Sequence, residues 1–152
     1  MATKNPTVQD FLEPAQSCLC FNLRKSARVL TQQYDAFFRP LRLKSTQFSL
    51  LVGVRLMGPV TINRLAEAMV MDRTTLTRNL KPLETQGLIR TLPGADRRER
   101  DITLTSSGQL VLSKALPLWK KAQEKISQEI GTDRTTRLLK DLAVTIQGNQ
   151  DR

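Results

Sequence analysis

Two runs of cations frame the stretch "MDRTTLTRNLKPLETQGLIRTLPGADRRERDITLT", residues 71–105. Arg73, Arg78 and Lys81 come first, interleaved with Thr74, Thr75 and Thr77; Arg97, Arg98 and Arg100 follow in the turn-like "GADRRER". Guanidinium, ammonium and hydroxyl groups at these spacings suit hydrogen bonding to the phosphates and base edges of a nucleic acid. An arginine fork can pair with guanine O6 and N7, a threonine hydroxyl with phosphate or base, and a threonine methyl with the thymine methyl. On a helix turning about 100° per residue, residues 73–86 sort into two sides. Leu76, Leu80 and Leu83 gather on one, while Thr74, Thr77, Arg78 and Lys81 share the other. An ordinary solvated face mixes Glu with Lys in stabilising pairs, whereas here Glu84 lies to the flank. Threonine is a poor surface helix former, so its repetition points to contact rather than propensity. The arginine-bearing turn suits the minor groove beside a helix in the major groove, with Asp96 able to hold one guanidinium in place.

The elements that must position these groups follow from apolar periodicity and stop signals. Residues 1–14 read as a polar, proline-marked arm. A helix is predicted from about Ala15 to Phe38, with Leu19, Leu23, Ala27, Leu30, Tyr34 and Phe37 at three- and four-residue steps, ended by Pro40. A second begins near Ser45 or Thr46, either able to cap it, and stops at Gly58-Pro59. Thr61 caps the short helix "INRLAEAM", which also carries Asn63; Asp72 caps the next, and Gly87 closes it. "LIRTL" and "RDITL" read as a two-strand hairpin with the second arginine run at its tip. Helices from Thr105 to Gly131 and from about Asp133 to Gly148 complete the chain.

The fold expected is mainly α with a small β-hairpin wing, in one domain. Residues of about 45–104 form a winged helix-turn-helix core. The long amphipathic helices of about 10–40 and 105–148 carry apolar stripes for which a second copy is the economical partner. Leu19, Leu23, Trp119, Ile126, Leu138 and Leu142 are expected in or near that interface. Double-stranded DNA would then be contacted by Thr61, Asn63, Arg73, Thr74, Thr75, Thr77, Arg78, Lys81, Arg97, Arg98 and Arg100.

Composition narrows the alternatives. In 152 residues, 24 Lys and Arg outnumber 14 Asp and Glu, giving a formal charge of +10 that favours a polyanionic partner over mere solubility. Histidine is absent, which excludes Ser–His–Asp and Cys–His catalysis and the commonest zinc ligand. No phosphate-binding glycine loop or metal constellation stands out, so neither an enzyme nor a cofactor is expected. Two cysteines, Cys18 and Cys20, are too few for a disulfide framework and point to a reducing compartment. The N-terminus lacks the apolar run of a signal peptide, and "FSLLVGVRLMG" is too short to span a bilayer. A cytoplasmic protein without membrane contact is expected. An architectural DNA-coating protein fits the charge equally well but has no need of base-reading threonines. A winged helix serving protein interaction would be expected to carry apolar or acidic residues at the tip.

From "CLCFNLRKSARVL" through "STQFSLL", "GPVTINRLAEAMVMDRTTLTRNLKPLETQGLI", "DRRERDITLTSSG" and "LPLWKKAQ", nearly the whole chain resembles the MarR family of bacterial transcriptional regulators. The run "DRR...LT..G" is the most specific part. The resemblance implies a homodimer with interlocked terminal helices and two winged modules facing a pseudo-palindromic operator. It implies a regulator, usually a repressor, released by a small effector or an oxidant. Some members sense organic peroxides through a cysteine in an "LCFAL" context; "LCFNL" places Cys20 there, and Tyr34 matches a tyrosine that hydrogen-bonds it. Arg24 and Ser45 stand where those sensors carry further tyrosines. Cys20 is accordingly expected to be a small buried hydrophobe, and a small organic ligand, more than an oxidant, to be the releasing signal.

Overall fold

The computed structural model describes residues 5–94 and 99–148. The helix predicted at the N-terminus is broken. A 3-10 turn at Val8–Phe11 leads into α1 (Leu12–Ser17), Cys18 takes an extended conformation (φ −65°, ψ 111°), and α2 runs from Leu19 to Phe38. The break frees carbonyls that the sequence pattern assigns to a continuous helix. Asn22 answers for one of them, its side-chain amide donating to the carbonyl of Gln16 (3.1 Å) and also to that of Cys18 (3.0 Å), which already accepts the Asn22 backbone amide. Cys18 and Cys20 are therefore not two positions on one helix, and both are exposed in the chain.

A 3-10 turn at Arg39–Leu41 joins α2 to α3 (Ser45–Met57). Neither Ser45 nor Thr46 caps α3. Lys44 is the N-cap residue, its amide donating to Gln47 Oε1 at 2.9 Å, and the Ser45 amide donates to Asp35 of α2 at 2.7 Å. A carboxylate from the preceding helix thus supplies the cap, a contact between residues ten apart that local capping rules do not contain. Burial pushes the Asp35 carboxyl up, but the Ser45 bonds and Lys44 outweigh it and hold it below the usual range.

Beyond α3 lie β1 (Val60–Thr61), α4 (Ile62–Ala68), α5 (Arg73–Thr85), β2 (Ile89–Pro93), β3 (Arg100–Leu104), α6 (Ser106–Ile130) and α7 (Thr132–Gln147). The wing is not the expected two-strand hairpin but an antiparallel sheet in the order β1-β3-β2. Ile89 pairs with Leu104 and Pro93 with Arg100 across the hairpin, while Val60 pairs with Ile102 on the other side of β3. Two residues are too few to show a strand period, so β1 had no local signal.

Phe38, Leu51, Leu65, Leu76 and Leu83 are fully buried, drawing one cluster from α2, α3, α4 and α5. Leu76, Leu80 and Leu83 form the inward side of α5 as expected. The buried cluster continues through Leu104 of β3 to Ala115 of α6, with Trp119 packed against it, so no gap separates the winged core from the helix that follows. Ile126 is already buried within its own chain, whereas Leu19 and Leu138 are exposed. Among the described residues no helix is long and apolar enough to cross a membrane.

The turn between α4 and α5 contains a local conflict. Val70 adopts φ 51°, the left-handed region, with its side chain 55 % exposed. An L-residue there costs roughly 1–2 kcal/mol and a β-branched one is a true outlier. Val70→Asn is expected to stabilise the fold by about 1 kcal/mol, since asparagine tolerates this conformation and little packing is lost. Thermal unfolding checks it; a lower melting temperature would show that Val70 makes a contact its exposure does not suggest.

Candidate nucleic-acid interface

Helix α5 is started by Asp72, whose carboxylate accepts the Thr75 amide at 2.8 Å. The Thr75 bonds favour the ionised carboxylate and lower its pKa. The helix ends in Gly87 at φ 68°, a left-handed C-terminal stop that glycine takes without strain. Between these ends the apolar side is buried, which forces the polar side outward.

Arg73, Thr74, Thr77, Arg78, Lys81 and Pro82 line one open hollow of about 630 Å³ along the outer side of α5. Pro82 has no amide to donate, leaving the Arg78 carbonyl without its in-helix partner on this exposed edge. A second hollow, about 240 Å³, is lined by Thr61, Ile62, Asn63, Arg73, Glu99 and Arg100. Arg73 belongs to both, so the start of α4, the start of α5 and the tip end of β3 form one continuous surface. Three segments distant in sequence meet here because β1 pairs with β3, which draws Thr61 alongside Asp101.

The threonines divide by what their hydroxyls already do. Thr61 accepts the Arg64 amide at 3.3 Å, which leaves its proton free for a phosphate oxygen. Thr77 donates to the Arg73 carbonyl at 2.8 Å; its oxygen can still accept from a base amine, but its proton is spent. Thr75 stands apart from the face, half-buried, and lines neither hollow. Glu99, a carboxylate inside the cationic surface, is a neighbour that reading α5 alone does not find. Arg97, Arg98 and Asp96 lie outside the described residues; Arg100 is exposed at the start of β3.

Cys20 and Tyr34 are not brought together within one chain. Both lie on α2, fourteen residues apart, or about 21 Å along the axis at 1.5 Å per residue. The Tyr34 hydroxyl donates instead to Gln123 of α6, and burial pushes its pKa up. Ser45 is occupied at the start of α3, and Arg24 is exposed. Within the single chain Cys20 is likewise exposed rather than buried.

Comparison with known proteins agrees with this geometry. The model of the MarR family matches residues 43–99. An organic hydroperoxide resistance transcriptional regulator of Bacillus subtilis is 35% identical over 101 residues, 66% of this chain and 69% of that protein. An uncharacterized HTH-type transcriptional regulator of the same organism is 30% identical over 91 residues, 60% of this chain and 66% of that protein, just under two thirds of its length. The crystal structure of the M. tuberculosis transcriptional regulator MosR in complex with DNA superposes with a TM-score of 0.80 at 38% identity, over 89% of this chain and 98% of that one. With the winged fold, the cationic face and these relatives in agreement, the chain belongs to the MarR family of winged helix-turn-helix transcriptional regulators.

Proposed function

We propose that the chain is a cytoplasmic, non-enzymatic regulator that binds a pseudo-palindromic DNA site as a homodimer and represses from it. The continuous cationic surface joining α4, α5 and the tip end of β3 carries this reading. Residues of about 45–104 serve as the DNA-binding core, and those of about 10–40 and 105–148 as the dimer helices. Exposed Leu19, Phe21, Leu139, Val144 and Ile146 at the two ends of the chain supply apolar area for a second copy. A hollow of about 460 Å³ between α2, α6 and α7, lined in part by Val29, Leu30, Ile126 and Leu138, has the size and lining a small organic effector requires.

Two-fold symmetry sets the test. Half-site centres lie about one helical turn, ~10 bp, apart, so inserting ~5 bp puts the half-sites on opposite faces of the duplex. Tight binding is expected to vanish with the insertion. Unchanged affinity would favour an architectural protein that coats DNA regardless of sequence.

A second reading, oxidant sensing, is favoured by Cys18. It stands outside the helix, with its thiol and that of Cys20 both exposed, so no helical geometry holds the two apart. The relative that is an organic hydroperoxide resistance transcriptional regulator suggests the oxidant class. The hydroperoxide would transfer one oxygen to the Cys20 thiolate, giving sulfenic acid and an alcohol. The Cys18 thiol would then attack the sulfenic sulfur, forming a disulfide and releasing water. Under this reading, stoichiometric organic hydroperoxide abolishes operator binding, thiol reductant restores it, and Cys20→Ser is insensitive. Retained binding by the treated wild-type protein would leave the small-ligand reading standing.

A further inference from the structure

Glu84 sits on the last turn of α5, at the flank of the cationic face. Its two carboxylate oxygens point in different directions. Oε1 accepts the Thr91 hydroxyl of β2 at 3.1 Å, and Oε2 lies 3.7 Å from Lys81 Nζ. The carboxylate thus bridges the DNA-facing helix to the wing strand and holds one cation of the face on the wing side. Exposed ion pairs of this kind contribute little to stability, because solvent screens both charges. Lys81 and Glu84 side chains are 75 % and 44 % exposed, so stability does not account for the arrangement.

We infer that Glu84 is a positioning residue that limits the sequence-independent affinity for DNA, acting through Lys81. This rests on the DNA-binding reading above. Lysine is a mobile point charge that pairs with any phosphate, whereas Arg78 can discriminate bases. A lysine free to swing adds one sequence-independent phosphate contact and raises affinity for all DNA alike. Tethered to Glu84, it competes poorly for phosphate, and affinity for all DNA is lower. The Thr91 bond anchors the tether, since a free glutamate would follow Lys81 toward the duplex.

Glu84→Gln separates the two roles. The glutamine oxygen still accepts the Thr91 hydroxyl, so the tie to the wing remains while the charge that holds Lys81 is gone. Affinity for a random duplex is measured against salt for the full-length wild type, Glu84→Gln, Lys81→Met and the double variant. Each phosphate neutralised adds about 0.9 to the slope of log K against log salt. Glu84→Gln is expected to steepen that slope by about 0.9, so its gain over wild type is about 3.5-fold larger at 50 mM than at 200 mM salt. Operator and random duplex are expected to gain alike, so the ratio of the two affinities and the melting temperature both stay put. In the Lys81→Met background the effect of Glu84→Gln is expected to disappear. An unchanged slope, or the same steepening without Lys81, overturns the inference, the latter because it would mark simple repulsion between Glu84 and DNA. Wild-type protein that binds no duplex would instead overturn the DNA-binding reading, and this one with it.

Discussion

Gly108→Ala is expected to destabilise the fold by about 3 kcal/mol or more, as an overpacked buried site does at its upper end. In an open helix position the same change stabilises by up to about 1 kcal/mol, so the sign itself is diagnostic. Gly108 is buried in the first turn of α6, and a Cβ there would lie 1.9 Å from the Leu88 carbonyl oxygen and 2.9 Å from its carbonyl carbon. Neither side can retreat. Leu88 begins the run into β2, and its carbonyl accepts the Thr105 amide at 3.0 Å. Thr105 in turn caps α6 through the Gly108 amide (3.0 Å) and donates to the Gly87 carbonyl (2.6 Å). The start of α6 is therefore fastened to the point where α5 turns into the wing. Urea unfolding of Gly108→Ala beside Ser107→Ala, an exposed neighbour, measures the effect. A cost within 1 kcal/mol of that of Ser107→Ala would show that the junction yields, and that the close approach of α6 to Leu88 is not required.

Arg78→Ala is expected to remove base discrimination at one operator position in each half-site, costing about 1–3 kcal/mol per position. Arg78 is exposed beside Thr74, Thr77 and Lys81 on the outer side of α5 and makes no ion pair among the described residues. Its removal should leave stability within about 0.5 kcal/mol of wild type, so the change in binding reads the interface and not the fold. Affinity for random DNA should fall far less than affinity for the operator. Arg98→Ala, an expectation from sequence alone, should weaken both more evenly and flatten the salt dependence. Equal losses on operator and random duplex for Arg78→Ala would assign its guanidinium to phosphate instead of base.

These two positions were legible to different degrees. Arg78 announced itself, because a helix period applied to Leu76, Leu80 and Leu83 leaves it facing water beside two threonines. Gly108 was visible only as the last letter of "DRR...LT..G". The reason for glycine there is a carbonyl twenty residues upstream, and no local pattern records it. The caps divide in the same way. Thr61, Asp72 and Thr105 cap their own helices through amides three residues on; the first two were read as caps from sequence, and Thr105 as the start of its helix. The start of α3 was misread because its ligand, Asp35, comes from another helix.

Thr75 and Glu84 show the same division within the interface. Both belong to α5, and helical spacing separates Thr75 from Thr74 and Thr77 on the wheel. Which hydroxyls are already engaged, and which carboxylate restrains Lys81, depend on backbone carbonyls and on a strand that packs against the helix only in the folded chain.

Periodicity, capping residues and charge were sufficient to place α3 to α7 and the cationic face of α5, while the motifs that resemble the MarR family carried the kinship. These are properties of contiguous residues, set by the helical repeat and by hydrogen bonds to near neighbours. Folding alone decided that β1 completes the sheet, that Thr61, Arg73 and Arg100 share a surface, and that Cys18 leaves the helix. It also decided that Tyr34 spends its hydroxyl on Gln123. Each of these joins groups far apart in the chain or depends on a local break that the helical repeat does not record. Such contacts are selected by the simultaneous burial of the whole core, and no window of contiguous residues contains them.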